Sequence, residues 1–121
     1  MELIRPPDMK TLSNPGVESL QLLNPTNAQT RRLTITRVVV QPDHRQPRHA
    51  HDTAEQVWIA LRGSGRLLLA EGASAPFREG DVARFAEGDV HGLHNDSGAE
   101  FEYLSVTAPP LDFTGAYRRS S

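Results

Sequence analysis

The sequence predicts an all-β single domain, either a closed barrel or two packed sheets. Three observations predict it. β-Branched and aromatic runs recur at the roughly eight-to-twelve-residue spacing of such folds. Turn signals separate them, among them Asn14-Pro15-Gly16, Asn24-Pro25-Thr26-Asn27, Gly63-Ser64-Gly65 and Glu87-Gly88-Asp89. No segment of convincing length carries apolar residues at helical spacing. Closing or doubling the sheet also removes the exposed edges that many short strands would leave. The 121 residues suffice for one core and not for two ordinary domains.

Residues 1–16 are rich in proline and polar side chains and read as an irregular lead-in. Residues 17–23 read as a first, edge strand. Residues 33–41 (Leu-Thr-Ile-Thr-Arg-Val-Val-Val-Gln) are β-branched, partly alternating, and stopped by Pro42. Pro42-Asp43 reads as a turn leading into the stretch Arg48-His49-Ala50-His51-Asp52-Thr53-Ala54-Glu55-Gln56. Residues 56–62 read as a strand with Val57, Ile59 and Leu61 on one face and Gln56, Trp58 and Ala60 on the other. Such a strand must be covered on both sides. Gly63-Ser64-Gly65 signals a hairpin, residues 66–71 its return strand, and residues 72–76 a loop. Further strands are expected at 77–79, 82–86, 90–94 and 100–107, and Ala108-Pro109-Pro110 ends the sheet. The domain organisation is then a lead-in over 1–32 with an edge strand, a barrel over 33–107, and a tail over 108–121. The tail keeps Leu111, Phe113 and Tyr117 and is expected to dock on the barrel or on a partner.

A formal net charge of −2 with no clustered basic face argues against a nucleic-acid partner. Arg31-Arg32 and Arg118-Arg119 read as short solvated pairs. The chain has no cysteine, which removes disulfides, thiolate metal sites and thiol nucleophiles. Imidazole, carboxylate and amide remain as ligands. No apolar run approaches the roughly 20 residues of a membrane span, and residues 1–10 hold no apolar signal region. The expectation is a cytoplasmic protein without a membrane partner.

His49 and His51 are two of the five histidines. In an extended segment, side chains at i and i+2 point to one face, so both imidazoles can aim at one point. Imidazole is a common ligand for zinc, copper, iron and nickel. His91 stands further on in a glycine-rich setting. His94 falls on the opposite face from His91 and reads as a supporting or surface group, and His44 as a solvated turn residue. Trp58, Phe85, Leu93, Phe101 and Tyr103 read as core, with Trp58, Phe85, Leu93 and Tyr103 as candidate pocket wall. Asp52 reads either as a group orienting a histidine or as a solvated carboxylate.

The stretches around His49 and His91 together resemble the cupin superfamily. The second motif of that family runs glycine, five residues, Pro-x-Gly, two residues, histidine, three residues, asparagine. Gly80, Gly88, His91 and Asn95 keep every spacing, with Ala86 in place of the proline. In the first motif, His49-x-His51 is followed by an acidic ligand and a glycine. Asp43 replaces that motif's first glycine, a substitution aspartate tolerates in left-handed backbone. Glu55 satisfies one of the two spacings around the acidic ligand, and Gln56 satisfies both. Strand alternation lets only one of them point inward. Gln56 is preferred, with Glu55 the alternative.

The resemblance covers residues 33–107 and implies a single-domain jelly-roll barrel, or double-stranded β-helix. It also implies one divalent transition metal (Fe, Mn, Ni, Zn or Co) held by His49, His51, His91 and Gln56 or Glu55. It further implies a small-molecule ligand. The expectation is a small metalloenzyme acting on an oxygen-rich organic substrate, of oxygenase or isomerase/lyase type. A non-catalytic binding or sensing module is the alternative, and a structural metal a third possibility. No dedicated catalytic residue is evident. The apolar stripe of Val57, Ile59 and Leu61 leads to the expectation of a homodimer.

Overall fold

The computed structural model describes residues 1–117 and the backbone of residues 119 and 120. Its strands in chain order are β1 (Lys10–Asn14), β2 (Val17–Leu23), β3 (Thr34–Val40), β4 (Arg45–His49) and β5 (Glu55–Arg62). They continue with β6 (Ser64–Leu69), β7 (Ser74–Arg78), β8 (Val82–Phe85), β9 (His91–His94), β10 (Phe101–Ala108) and β11 (Arg119–Ser120). One sheet has seven strands in the order β11-β1-β2-β3-β10-β5-β8, and the other has four in the order β4-β9-β6-β7. Every pairing is antiparallel. The fold is the all-β double-stranded β-helix, or jelly roll.

The inner face of the large sheet sorts by register into an apolar and a polar end. Val17, Val40 and Phe101 lie side by side, and next to them Ser19, Val38, Tyr103 and Ala60. The following row is Gln21, Thr36, Ser105 and Trp58, and the last is Thr34, Thr107 and Gln56. All of these side chains are buried. Phe77 and Phe101 meet at 5.7 Å between ring centres and close the apolar end with Leu67 and Leu93. The polar end is therefore a property of four adjacent strands, and it is the end that β4 reaches with His49.

Five readings change. β2, read as an edge strand, lies between β1 and β3. β5 and β6, read as a hairpin, belong to different sheets. Three strands differ in presence or extent. Within residues 1–16, Lys10–Asn14 forms a strand that pairs with β2. Arg45–His49 forms a strand despite Pro47, because a register irregularity between Gln46 and His49 accommodates the missing donor. β7 begins at Ser74, inside the segment read as a loop. The tail returns to its own barrel, where β11 pairs with β1 and Asn14 Nδ2 donates to Ala116 O at 3.1 Å. Asp43 holds φ 64°, the left-handed turn conformation anticipated for it.

On the outer face of the large sheet, Val57 and Ile59 lie beside Val106 and Leu104, and Ile35 lies beside Val106. Leu61 and Val82 are 36 % and 64 % exposed at the margin of this patch. β2 extends the sheet beyond β3 and does not cover the patch. Among the described residues, no helix is long and apolar enough to cross a membrane.

Candidate metal centre

Three elements bring three imidazoles together at the polar end. β4 ends on His49, His51 follows it, and β9 starts on His91, which is paired with His49 across the small sheet. The strands approach closely because position 92 is glycine. A Cβ there would lie 2.7 Å from the Gln46 carbonyl oxygen and 2.9 Å from that of Pro47. The ring centres of His49 and His91 are 4.3 Å apart, those of His49 and His51 4.9 Å, and those of His51 and His91 5.4 Å. One nitrogen from each histidine falls within 4.8 Å of the others. This is a three-histidine group positioned to bind a metal.

Gln56 points inward to this group and Glu55 points outward. Gln56 is 3 % exposed, whereas Glu55 pairs with Arg84 on the outer face. The Gln56 amide is oriented by its neighbours. Trp58 Nε1–H can only donate, so the group facing it at 3.1 Å is the Gln56 carbonyl. The amide nitrogen donates to Thr107 Oγ1 at 2.9 Å. His91 is oriented likewise. Its Nδ1 lies 2.8 Å from the Asp89 carbonyl, which can only accept, so Nδ1 carries the proton. His49 Nδ1 meets the Pro47 carbonyl at 2.8 Å in the same way.

A consequence follows for His91 Nε2. It lies 2.9 Å from Gln56 Oε1. In a neutral ring protonated at Nδ1, that contact sets a nitrogen lone pair against a carbonyl oxygen. Double protonation is disfavoured, because burial lowers the His91 pKa from 6.5 to about 4, against the opposing pull of the Asp89 carbonyl. Burial, with His49 beside it, also lowers the pKa of His51. Two acceptors at this distance call for a cation. Two donors bound at right angles to one ion at about 2.1 Å lie about 3 Å apart. His51 Nε2 is buried without a hydrogen-bond partner, which an ion would also satisfy. The donor set therefore fits a divalent transition metal.

Aromatic rings fix the site from behind. Phe85 stacks on His91 at 4.2 Å and 11°, and Trp58 meets the same ring edge-on at 5.2 Å. A cavity of about 250 Å³ opens in front, lined by His49, His51, Gln56, Trp58 and Tyr103 among others. Phe85 and Leu93, expected at the pocket wall, do not line it. Phe85 backs His91, and Leu93 is fully buried in the core. His94 is half-buried, His44 exposed with its Nδ1 against the Pro42 carbonyl, and Asp52 exposed.

Sequence reasoning missed the far wall of the cavity. It comprises Ser19, Thr36 and Ser105 from the inner rows, Gln46 from β4, and Phe113 and Tyr117 from the tail. Gln46 Nε2 donates to Tyr117 Oη at 2.8 Å, and Phe113 meets His51 edge-on at 6.1 Å. The available signal was the apolar content of the tail, which marks docking but not where.

The lowered pKa of His91 has a measurable effect on the metal-free protein. Below the unfolded-state pKa of 6.5 the unfolded chain takes up a proton that the folded chain refuses until about pH 4. Stability is thus lost as pH falls through that window and regained as it rises. Urea melts of the metal-free protein at pH 7, 5 and 4 should show a falling midpoint, and the fall should be smaller in His91→Gln. An equal fall in both would refute the assignment.

A jelly roll with three convergent imidazoles inside its polar end defines a class of small β-barrel proteins with a metal-type site. The chain belongs to the cupin family: the cupin domain model matches residues 36–107. No curated protein sequence matches the chain. Solved structures share its fold at low identity. An uncharacterised protein with a double-stranded β-helix domain from Klebsiella pneumoniae is 23 % identical, with TM-score 0.73, over 88 % of this chain and 84 % of its own. The polyketide cyclase RemF from Streptomyces resistomycificus is 22 % identical, with TM-score 0.77, over 89 % and 79 %. Ectoine synthase from P. lautus is 12 % identical, with TM-score 0.80, over 100 % and 88 %. At these identities the likeness establishes the fold alone.

Proposed function

We propose that this cupin is a small metalloenzyme in which His49, His51, His91 and Gln56 hold one divalent transition metal facing a small oxygen-rich organic substrate. The observation that carries this reading is the pair of acceptors, His91 Nε2 and Gln56 Oε1, at 2.9 Å. The orphaned His51 Nε2 supports it. All four donors are neutral, so a bound divalent ion would keep its full charge and supply Lewis-acid polarisation of a substrate oxygen. The chain's own residues set the geometry. The Asp89 and Pro47 carbonyls fix the tautomers of His91 and His49. Trp58 and Thr107 fix the Gln56 amide, and the aromatic wall keeps water from the back of His91. Reactions of isomerase, lyase or oxygenase type suit such a site, and solved cupins of this fold include a polyketide cyclase and an ectoine synthase. Elemental analysis of the purified protein tests the reading: close to one transition metal per chain is expected, and a protein that neither retains nor takes up a metal would overturn it.

The same protein is proposed to be a homodimer through the outer face of the large sheet. Ile35, Val57, Ile59, Leu104 and Val106 form one patch there, and apolar patches beyond a few hundred Å² seldom face water. Light scattering at micromolar concentration should give twice the 13.4 kDa chain mass, and Ile59→Asp should return it to one chain mass. A wild-type protein of single-chain mass would sink the proposal.

A further inference from the structure

The cavity has two unlike poles, and its far pole specifies the ligand more closely than the metal end does. At one pole stand the His49 and His51 imidazoles and the Gln56 side chain. At the other stand hydroxyls and an amide: Ser19, Thr36, Ser105, Gln46 and Tyr117. Thr36 and Ser105 are neighbours across β3 and β10, and Ser105 lies beside Trp58 across β10 and β5. No lysine, arginine, aspartate or glutamate lines the cavity among the described residues. Burial pushes the Tyr117 phenol upward, against its hydrogen bonds to Ser19 and Gln46, so its hydroxyl stays neutral at ordinary pH. Hydroxyls and amides donate and accept alike, which suits ligand hydroxyl and carbonyl oxygens. They offer no countercharge for a buried phosphate or second carboxylate, whose unpaired burial is costly. The volume of about 250 Å³ falls below the roughly 300 Å³ floor for sites of drug-sized ligands.

We propose that this cavity takes a small hydroxy-carbonyl compound with an uncharged body, its carbonyl end at the histidine cluster and a distal hydroxyl met by Tyr117. The proposal rests on the metal reading for the near end only. Tyr117 is placed for this role by the tail. Gln46 holds its hydroxyl at 2.8 Å, Ala116 is tied to Asn14, and the Tyr117 ring packs against the core cluster. It acts as a positioning residue for the far end of the ligand, at a distance from the reacting oxygen.

The test uses the full chain loaded with Co²⁺ and two probes that differ only by a terminal phosphate group, D-ribulose and D-ribulose 5-phosphate. Trp58 is the single tryptophan and lines the cavity, so its fluorescence reads occupancy. D-Ribulose should bind saturably, and the phosphate at least about tenfold more weakly. Tyr117→Phe should weaken ribulose binding about tenfold, the size of one lost hydrogen bond. Azide binding, read from the cobalt spectrum, touches only the metal end and should not change in Tyr117→Phe. A structural role for Tyr117 would move both. The assignment is overturned if Trp58 does not respond to ribulose, if the phosphate binds more tightly, or if Tyr117→Phe leaves ribulose affinity within about twofold. A cobalt spectrum without imidazole ligation defeats the metal reading separately, and the Trp58 titrations still decide the pocket assignment.

Discussion

His91→Ala should reduce the affinity for a divalent transition metal by at least about 100-fold, since loss of an outer-shell partner alone typically costs about 10–100-fold. The substitution removes a nitrogen held on both sides. Nδ1 is fixed by the Asp89 carbonyl, and the ring lies between Phe85 and Trp58. Nothing nearby can replace it, because His94 belongs to the opposite face of β9 and Glu55 is turned outward to Arg84. His49→Ala should act in the same direction, with a smaller packing cost because His49 is only half-buried. Competition titration of the metal-free variants with a chromogenic chelator measures both. Retention of wild-type affinity in either would refute the ligand assignment. Gln56→Glu is an informative companion: an added negative charge should tighten the site for the ion while setting a carboxylate against Trp58 and Thr107, whose contacts are already made.

The histidine cluster was legible because its information is local. His49 and His51 share a face by simple spacing, and the glycine pattern around His91 survives in the primary structure. The longer strands were legible for a similar reason. β3, β5 and β10 carry β-branched and aromatic residues in number, and their observed bounds fall within one residue of those expected. β1 and β4 were not legible. β1 offers a single buried apolar residue, Leu12, and β4 reads Arg-Gln-Pro-Arg-His, with no apolar residue other than proline. Both exist because neighbouring strands supply backbone partners, a tertiary effect that propensity does not carry. The polar end of the barrel was hidden differently. In β3 the inward residues include Thr34 and Thr36, while Ile35 and Val39 face out. Ordinary alternation points apolar residues to the core. The reversal marks a cavity lined for a polar ligand, and only the register across β2, β3 and β10 reveals it. The far wall of the pocket was out of reach for the same reason, since Gln46 and Tyr117 are separated by 71 positions.

Asn95→Ala should destabilise the fold by about 1–3 kcal/mol, because the buried Val40 carbonyl loses its side-chain donor. Asn95 closes the second histidine motif, yet it takes no part in the site. It is fully buried. Its Nδ2 donates to Val40 O at 2.9 Å and to Ala99 O at 2.8 Å, and its Oδ1 accepts from Ser97 N at 3.0 Å and Ser97 Oγ at 2.7 Å. Its main chain is bonded to the opposite turn, with Asp43 N donating to its carbonyl and its own N donating to His44 O. One side chain thus ties the end of β3 to the turn between β9 and β10, and the main chain joins both to the left-handed turn at Asp43. Alanine keeps the main-chain bonds, leaves the Val40 carbonyl without its side-chain donor, and leaves Ala99 O with the Ser97 hydroxyl at 3.1 Å. Asn95→Asp should be at least as damaging, because it replaces that donor with an acceptor and buries a charge. Urea denaturation of the metal-free protein measures the effect: the midpoint should fall with little change in slope, the mark of lost stability without a change in the surface exposed. Metal affinity of the folded Asn95→Ala protein should stay close to that of the wild type. A stability loss below about 1 kcal/mol, or a loss of metal binding comparable to that of His91→Ala, would show that the asparagine serves the site and not the frame around it.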